Sequence, residues 1–547
     1  MRQTPSDPFQ FLRLLCFFAA IGFLTACAKR ESAVESGTRT QTLHRGVGSE
    51  VGDLDPHLIT NIAEMDVVSS LFEGLVSEDP VDLHPVPGVA ERWELSPDRL
   101  TYTFYLRANA KWSNGTPVTA PDFVASWQRI LTPALAAENA SLLYVLQGAQ
   151  AFHRGATKDF SQVGVTAPDA RTLRVTLEHA TPYFLSLLTH PAWLPLNLAS
   201  ISATGSASER GNAWTRPGRL IGNGPFILKS WEPNKVLVVE KSPTYWDATT
   251  VRLHAIRFIP ATSVDTEERA FRAGQIHITE AVPLARLDFY LRTKNPALTI
   301  SPFLYTYFYR INVTRPVLQE AKVRRALSLA LDRRTLNETI LRGQHRPAFS
   351  LTPPDCTPGY TPPPLALSDP AAARALLAEA GFPGGHGLPP IEILMNISGN
   401  HQVIAEAVQA MWRRELGVDA RIVTMEHYAT LEQRSNLTYQ ILRSEWAAEY
   451  TDPKAFIEIF ASESDSNHTG WKNKDYDALL AEADRTADPS ARFTLLQSAE
   501  TILLEESPII PIYHLSTIRL VHPAVRGWHP TLLDHHPYKH VWLEEGK

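Results

Sequence analysis

Cysteine is scarce: three occur in 547 residues, at positions 16, 27 and 356, too few for a disulfide framework. A basic excess is also missing. The 52 Lys and Arg stand against 58 Asp and Glu, a formal net charge of -6, which leaves no electrostatic footprint for nucleic acid. No apolar run approaches the ~18 uninterrupted residues that read as a membrane-spanning helix. The chain holds no H-E-x-x-H, no G-x-S-x-G and no Walker loop, so the signatures of a zinc peptidase, a serine hydrolase and a P-loop NTPase are absent. An exported peptidase stays as the weaker alternative, because catalytic triads need no fixed spacing.

What is present is the composition of packed lobes. Hydrophobic residues make up 44% and charged ones 20%, and 22 Phe, 16 Tyr and 12 Trp supply the mass of several cores. A single core stops growing near ~250 to 300 residues, so two or three lobes are expected. The 41 prolines suit many stiffened connections between them.

The first residues read as an address. Residues 14 to 24, LLCFFAAIGFL, follow Arg2 and Arg13 and have the length of an export-signal core. They run into Leu24-Thr25-Ala26-Cys27, which resembles the bacterial lipobox; an ordinary export signal is the alternative. The lipobox implies removal of residues 1–26, a diacylglycerol on Cys27 and a membrane tether. Cys356 then has no partner for a disulfide. Residues 28 to 42, AKRESAVESGTRTQT, are polar without periodicity, so 27–42 is expected to be the lipidated cysteine and a flexible tether.

Further on, Leu100 to Arg107 alternates as a strand and Ser113-Asn114-Gly115 reads as a turn. Thr119 with Asp122 resembles a capping box ahead of a helix carrying Phe123, Trp127, Ile130 and Leu131 on one face. Strands at 172–178 and 235–241 give this part an α+β texture. From about 318 helices alternate with short apolar strands: helices at 318–333, 370–380, 401–416 and 488–505, strands at 391–396, 419–426 and 439–446. That order predicts parallel pairing in an α/β lobe, with ligands collecting beyond the strands' carboxyl ends, at Asn396 to His401, after Glu426 and at Trp446 to Glu449.

Residues 90 to 127, AERWELSPDRLTYTFYLRANAKWSNGTPVTAPDFVASW, resemble the signature segment of the solute-binding proteins of peptide ABC importers, the oligopeptide- and dipeptide-binding family. The resemblance continues through Leu54-Asp55-Pro56, Leu71 to Leu75, Asn223-Gly224-Pro225-Phe226, Pro243 to Trp246, Val323 to Leu327, Ala378 to Gly381 and Glu449 to Pro453. It implies α/β architecture with α+β portions, in a three-domain periplasmic-binding-protein-like clam with two hinge strands. Placed on this chain, domain I is 43–72, 198–303 and 517–547, the inserted domain II is 73–197, and the closing domain III is 304–516. It also implies an extracytoplasmic, monomeric protein that captures oligopeptides for an ABC permease and its ATPase subunits. Neither cofactor nor catalytic residue is implied. The same fold binding a murein peptide, a nickel chelate or haem is the alternative within the binding class.

The family pattern W-x-A-D-Y-x-x-P appears as Trp446 to Pro453, with Glu449 where relatives have the Asp that meets a peptide's α-ammonium. Arg443, Arg434 and His401 fall on positions that serve the peptide carboxylate at different lengths, and an Arg fork suits that group. Trp446 and Asn396 complete the expected peptide-binding set, although Trp446 can equally be core. Departures are Tyr305 and Ala447 where some relatives have a cysteine pair, His427 for a pocket Trp, and Thr60 for an acid. His529, Asp534, His535, His536 and His540 fit no closed zinc spacing and read as a solvated loop.

Overall fold

Residues 31–545, apart from 262, 366 and 398, are described by the structure, a computed structural model. The export signal and Cys27 lie outside the described residues. The expected tether is corrected over its second half, where Ala33–Thr40 is a helix. Ser32 Oγ accepts from the Glu35 N–H at 3.1 Å, and the Glu35 carboxylate accepts from the Ser32 N–H at 2.7 Å. This reciprocal cap starts a helix that composition alone does not suggest, and burial of Val34 holds it down.

Three sheets organise the rest. The first has the order Thr42–Gly46, Ala255–Ile259, Val236–Lys241, Phe226–Glu232, so the chain's early and middle segments share one sheet. Leu43, Phe226, Val239, Ile256 and Phe258 fill its core. The second is antiparallel, in the order Ala90–Leu95, Thr101–Leu106, Thr172–Thr176, Val165–Asp169. Tyr102, Phe104 and Leu106 alternate inward from it. The helix Ala120–Leu131 covers it with Phe123, Trp127, Ile130 and Leu131 fully buried, on the predicted face. Asp122 caps this helix by accepting from the Thr119 N–H at 2.7 Å and its hydroxyl at 2.8 Å.

The third sheet has six strands, in the order Arg346–Pro347, Ile509–Leu520, Leu298–Ile311, Ile441–Ala447, Ile391–Asn396, Ala420–Met425. The last three pair in parallel, as their alternation with helices predicts. Helices Pro370–Glu379, Gly399–Leu416 and Pro489–Glu506 match their expected spans closely. The helix expected over 318–333 is divided into Ala321–Leu329 and Arg333–Thr339, because the Asp332 carboxylate takes the Thr335 N–H at 3.0 Å and starts a new helix.

Two long antiparallel strands, Leu298–Ile311 and Ile509–Leu520, run from this sheet back to the first lobe, where the Val521 N–H meets the Ala297 carbonyl at 2.8 Å. Their ladder breaks between Pro302 and Thr306, Pro302 lacking the N–H that a regular ladder needs. At the break the Leu304 N–H bonds the Leu532 carbonyl and the Ala448 N–H bonds the Leu304 carbonyl, both at 2.8 Å. The result is the three-lobed clam with two linking strands that the sequence resemblance implies. One hydrophobic cluster continues from Phe104 and Trp127 in the second lobe to Phe308, Phe456 and Trp471 in the third. Cys356 is a buried free thiol.

Candidate functional site

The Ile441–Ala447 strand sets the site. Period-two alternation buries Leu442 and Ser444 on one side and projects Arg443, Glu445 and Ala447 from the other. Tyr309, Tyr307 and Tyr305 stand directly across from those three on the neighbouring strand. Two residues beyond the strand's carboxyl end, Glu449 is half-buried in the wall of a cavity of about 450 Å³ where the three lobes meet. Phe303, Tyr305, Ala447 and Ala448 border it from the linking strands' side, and Thr60, Asp66, Glu73, Glu78, His190 and Lys539 from the first and second lobes.

Burial pushes the Glu449 carboxyl up to about 7, and the nearby Glu458 charge adds to the effect. No ion pair neutralises Glu449 among the described residues. The other buried or half-buried acids in the wall already have partners. Glu73 accepts from the Tyr245 hydroxyl, the Trp246 indole and the Lys539 ammonium, the last at 3.3 Å. Glu78 meets His535 at 2.9 Å. Burial opposes ionisation of Asp534, but Arg519 and His536 overcome it and hold its carboxyl well below the usual range. A half-buried acid without a cation, among acids that have theirs, is a place for a ligand's positive charge.

The expected solvated loop at 529–540 is therefore corrected: Asp534, His535 and His536 line the cavity, held by Glu78 and Arg519. These partners are remote in sequence, which is why local spacing missed the loop's role. Glu73, Lys539 and Asp66 were missed for the same reason. Burial, partly offset by Arg45, pushes the Asp66 carboxyl up to about 6.

Of the other expected residues, Arg443 and His401 are brought together. The Arg443 guanidinium lies over the Tyr307 ring, 4.8 Å from its centroid, and pairs with Glu445. His401, third residue of its helix, has Nδ1 3.4 Å from the Tyr307 hydroxyl, and burial followed by the Arg443 charge pushes it down to about 4. It is neutral at pH 7, so it can donate a hydrogen bond to a carboxylate but brings no charge. Arg434 stands apart, near the end of the helix His427–Ser435, with a buried Nε that has no partner among the described residues. Its titratable neighbours are Arg310, Tyr439 and His468, the last pushed down to about 4 by burial and by these two arginines. Arg310 pairs with Leu442 and donates to Ser444 Oγ at 3.2 Å, so it projects from the face opposite Arg443. The Trp446 indole also leaves the cavity side and donates to the Ala455 carbonyl at 2.7 Å. Asn396 ends its strand beside Met425, outside the cavity wall, and His427 is exposed.

A family model, bacterial extracellular solute-binding proteins, family 5 middle, matches residues 84–468. The chain is 36% identical over 502 residues to the periplasmic oligopeptide-binding protein OppA of Escherichia coli (strain K12), covering 89% of this chain and 90% of that one. Among solved structures, the Escherichia coli murein tripeptide binding protein MppA aligns with a TM-score of 0.81 at 34% identity, covering 92% and 99% of the two chains. Haemophilus influenzae OppA in complex with RPPGFSPFR aligns with a TM-score of 0.79 at 30% identity, with the same coverage.

Proposed function

The chain belongs to the bacterial extracellular solute-binding proteins of family 5, the solute-binding proteins of peptide ABC importers, and from that premise we propose that it captures oligopeptides outside the cytoplasm and hands them to an ABC permease with its ATPase subunits. The observation that carries the reading is Glu449: an acid in the wall of the cleft cavity with no ion pair among the described residues, standing where the family resemblance expects the acid that meets a peptide's α-ammonium. A peptide enclosed between lobes loses water at both charged ends, and an unpaired buried charge costs enough that the protein must supply partners. Glu449 is the partner for the ammonium. Arg443, Arg434 and His401 serve carboxylates of peptides of different lengths, while Asn396 and Trp446 support the segments around them.

The domain limits proposed are 43–72, 198–303 and 517–547 for domain I, 73–197 for domain II and 304–516 for domain III. The protein acts as a monomer, held at the membrane by a diacylglycerol on Cys27. A murein peptide is the second reading, favoured by the likeness to a murein tripeptide binding protein. Native mass spectrometry of the protein purified from its own host tests the proposal. Intact linear peptides with free amino termini are expected; a non-peptide solute, or cleavage products of an added peptide, would overturn it.

A further inference from the structure

Glu445 is a charged group that neither the packing nor the reading above uses. It projects two residues from Arg443 on the same strand and therefore on the same face. Its side chain is 40% exposed, against 10% for Arg443. Its Oε2 accepts from Arg443 Nη2 and from the hydroxyl of Tyr305, a residue of the cavity wall. Arg443 Nε is buried and has no partner among the described residues. The Arg443 guanidinium thus already holds a carboxylate, and the Tyr305 hydroxyl ties that carboxylate to a residue of the cavity wall.

A ligand carboxylate that takes Arg443 must displace Glu445 or share the guanidinium with it. Either way two negative charges end on one cation, and the like-charge juxtaposition works against binding. The imbalance disappears when the ligand carries a cation of its own beside its carboxylate: the carboxylate takes Arg443 and the cation takes Glu445. We infer that Glu445 is a specificity residue, which makes the site prefer peptides whose C-terminal residue is Lys or Arg at the length that brings the carboxylate to Arg443. The inference rests on the peptide-binding reading and names a substrate class within it.

The test is calorimetry with alanine tri-, tetra- and pentapeptides, each ending in Ala or in Lys, on the full-length protein and on Glu445→Gln. Glu445 lies outside the hydrophobic clusters, so the variant keeps the fold. In the unmodified protein the Lys-ended peptide of one length should bind roughly tenfold more tightly than its Ala-ended twin. In Glu445→Gln the preference should vanish, the Ala-ended peptide gaining affinity and the Lys-ended one losing it. Equal binding of the twins to the unmodified protein, or a preference that survives in Glu445→Gln, would overturn the inference and leave the peptide reading standing. Failure of every peptide to bind would remove both.

Discussion

The ring of Tyr183 lies flat on that of Tyr450, with centroids 4.6 Å apart and planes 10° apart. Tyr183 belongs to the second lobe and Tyr450 follows Glu449 in the third, so the stack clamps the lobes next to the cavity. Lys454 and Arg492 flank the Tyr183 ring at 5.7 and 5.4 Å from its centroid. Such a stack is worth about 0.5–1.5 kcal/mol beyond its area, on the scale that biases a two-state closure. Tyr183→Leu should weaken peptide binding by about three- to tenfold, and small-angle scattering should show less compaction on peptide addition than in the unmodified protein. Unchanged affinity together with unchanged compaction would mean that the stack does not bear on closure.

The same segment carries a strut. Asp452 holds Arg492 through both carboxylate oxygens, at 2.8 and 2.9 Å, with both side chains buried. Removing one partner of a buried ion pair typically costs about 3–5 kcal/mol. Asp452→Asn should lower the unfolding free energy by about that amount in urea titrations of the ligand-free protein. A loss below about 1 kcal/mol would show that the pair is replaceable.

Binding should depend on pH through Glu449. Its carboxyl titrates near 7 in the empty site, above the ordinary 4.5, and only the ionised form pairs with an ammonium. Affinity should therefore fall by up to about tenfold per pH unit on acidification below about 7, and level off above it until the peptide's own amine loses its proton near pH ~8. The same shift acts on stability with the opposite preference. Between about 4.5 and 7 the folded ligand-free protein binds more protons than the unfolded chain, so stability falls as pH rises through that window. Glu449→Gln removes this cost and should melt higher than the unmodified protein at pH 8, with the two converging toward pH 4. Parallel melting curves at all pH values would contradict the shift.

Much of the fold was legible because its signals are local. The Thr119 and Asp122 cap, the buried stripe from Phe123 to Leu131 and the parallel strands at 391–396, 420–425 and 441–447 follow from spacing within a few residues. The Ala33–Thr40 helix had a local signal too, Ser32 and Glu35 three apart, but a polar composition masked it. What spacing cannot carry is partnership across the chain. Glu78 and Arg519 turn the 529–540 loop into a cavity wall, and Tyr305 makes Glu445 more than a surface charge. Glu445 nevertheless left a trace, since Arg443, Glu445 and Glu449 fall at even spacings along one face of a strand and its extension.

The central claim is that Glu449 reads the α-ammonium, and a double cycle measured by calorimetry tests it most directly. The four combinations pair the unmodified protein or Glu449→Gln with a free or N-acetylated form of one peptide, at pH 7.5. Truncating one side of a buried, hydrogen-bonded charge pair costs ~2–5 kcal/mol, so each single change should weaken binding by roughly 30-fold or more. Acetylation should then add little to the loss in Glu449→Gln. Losses that simply add would show that the carboxylate and the ammonium do not meet.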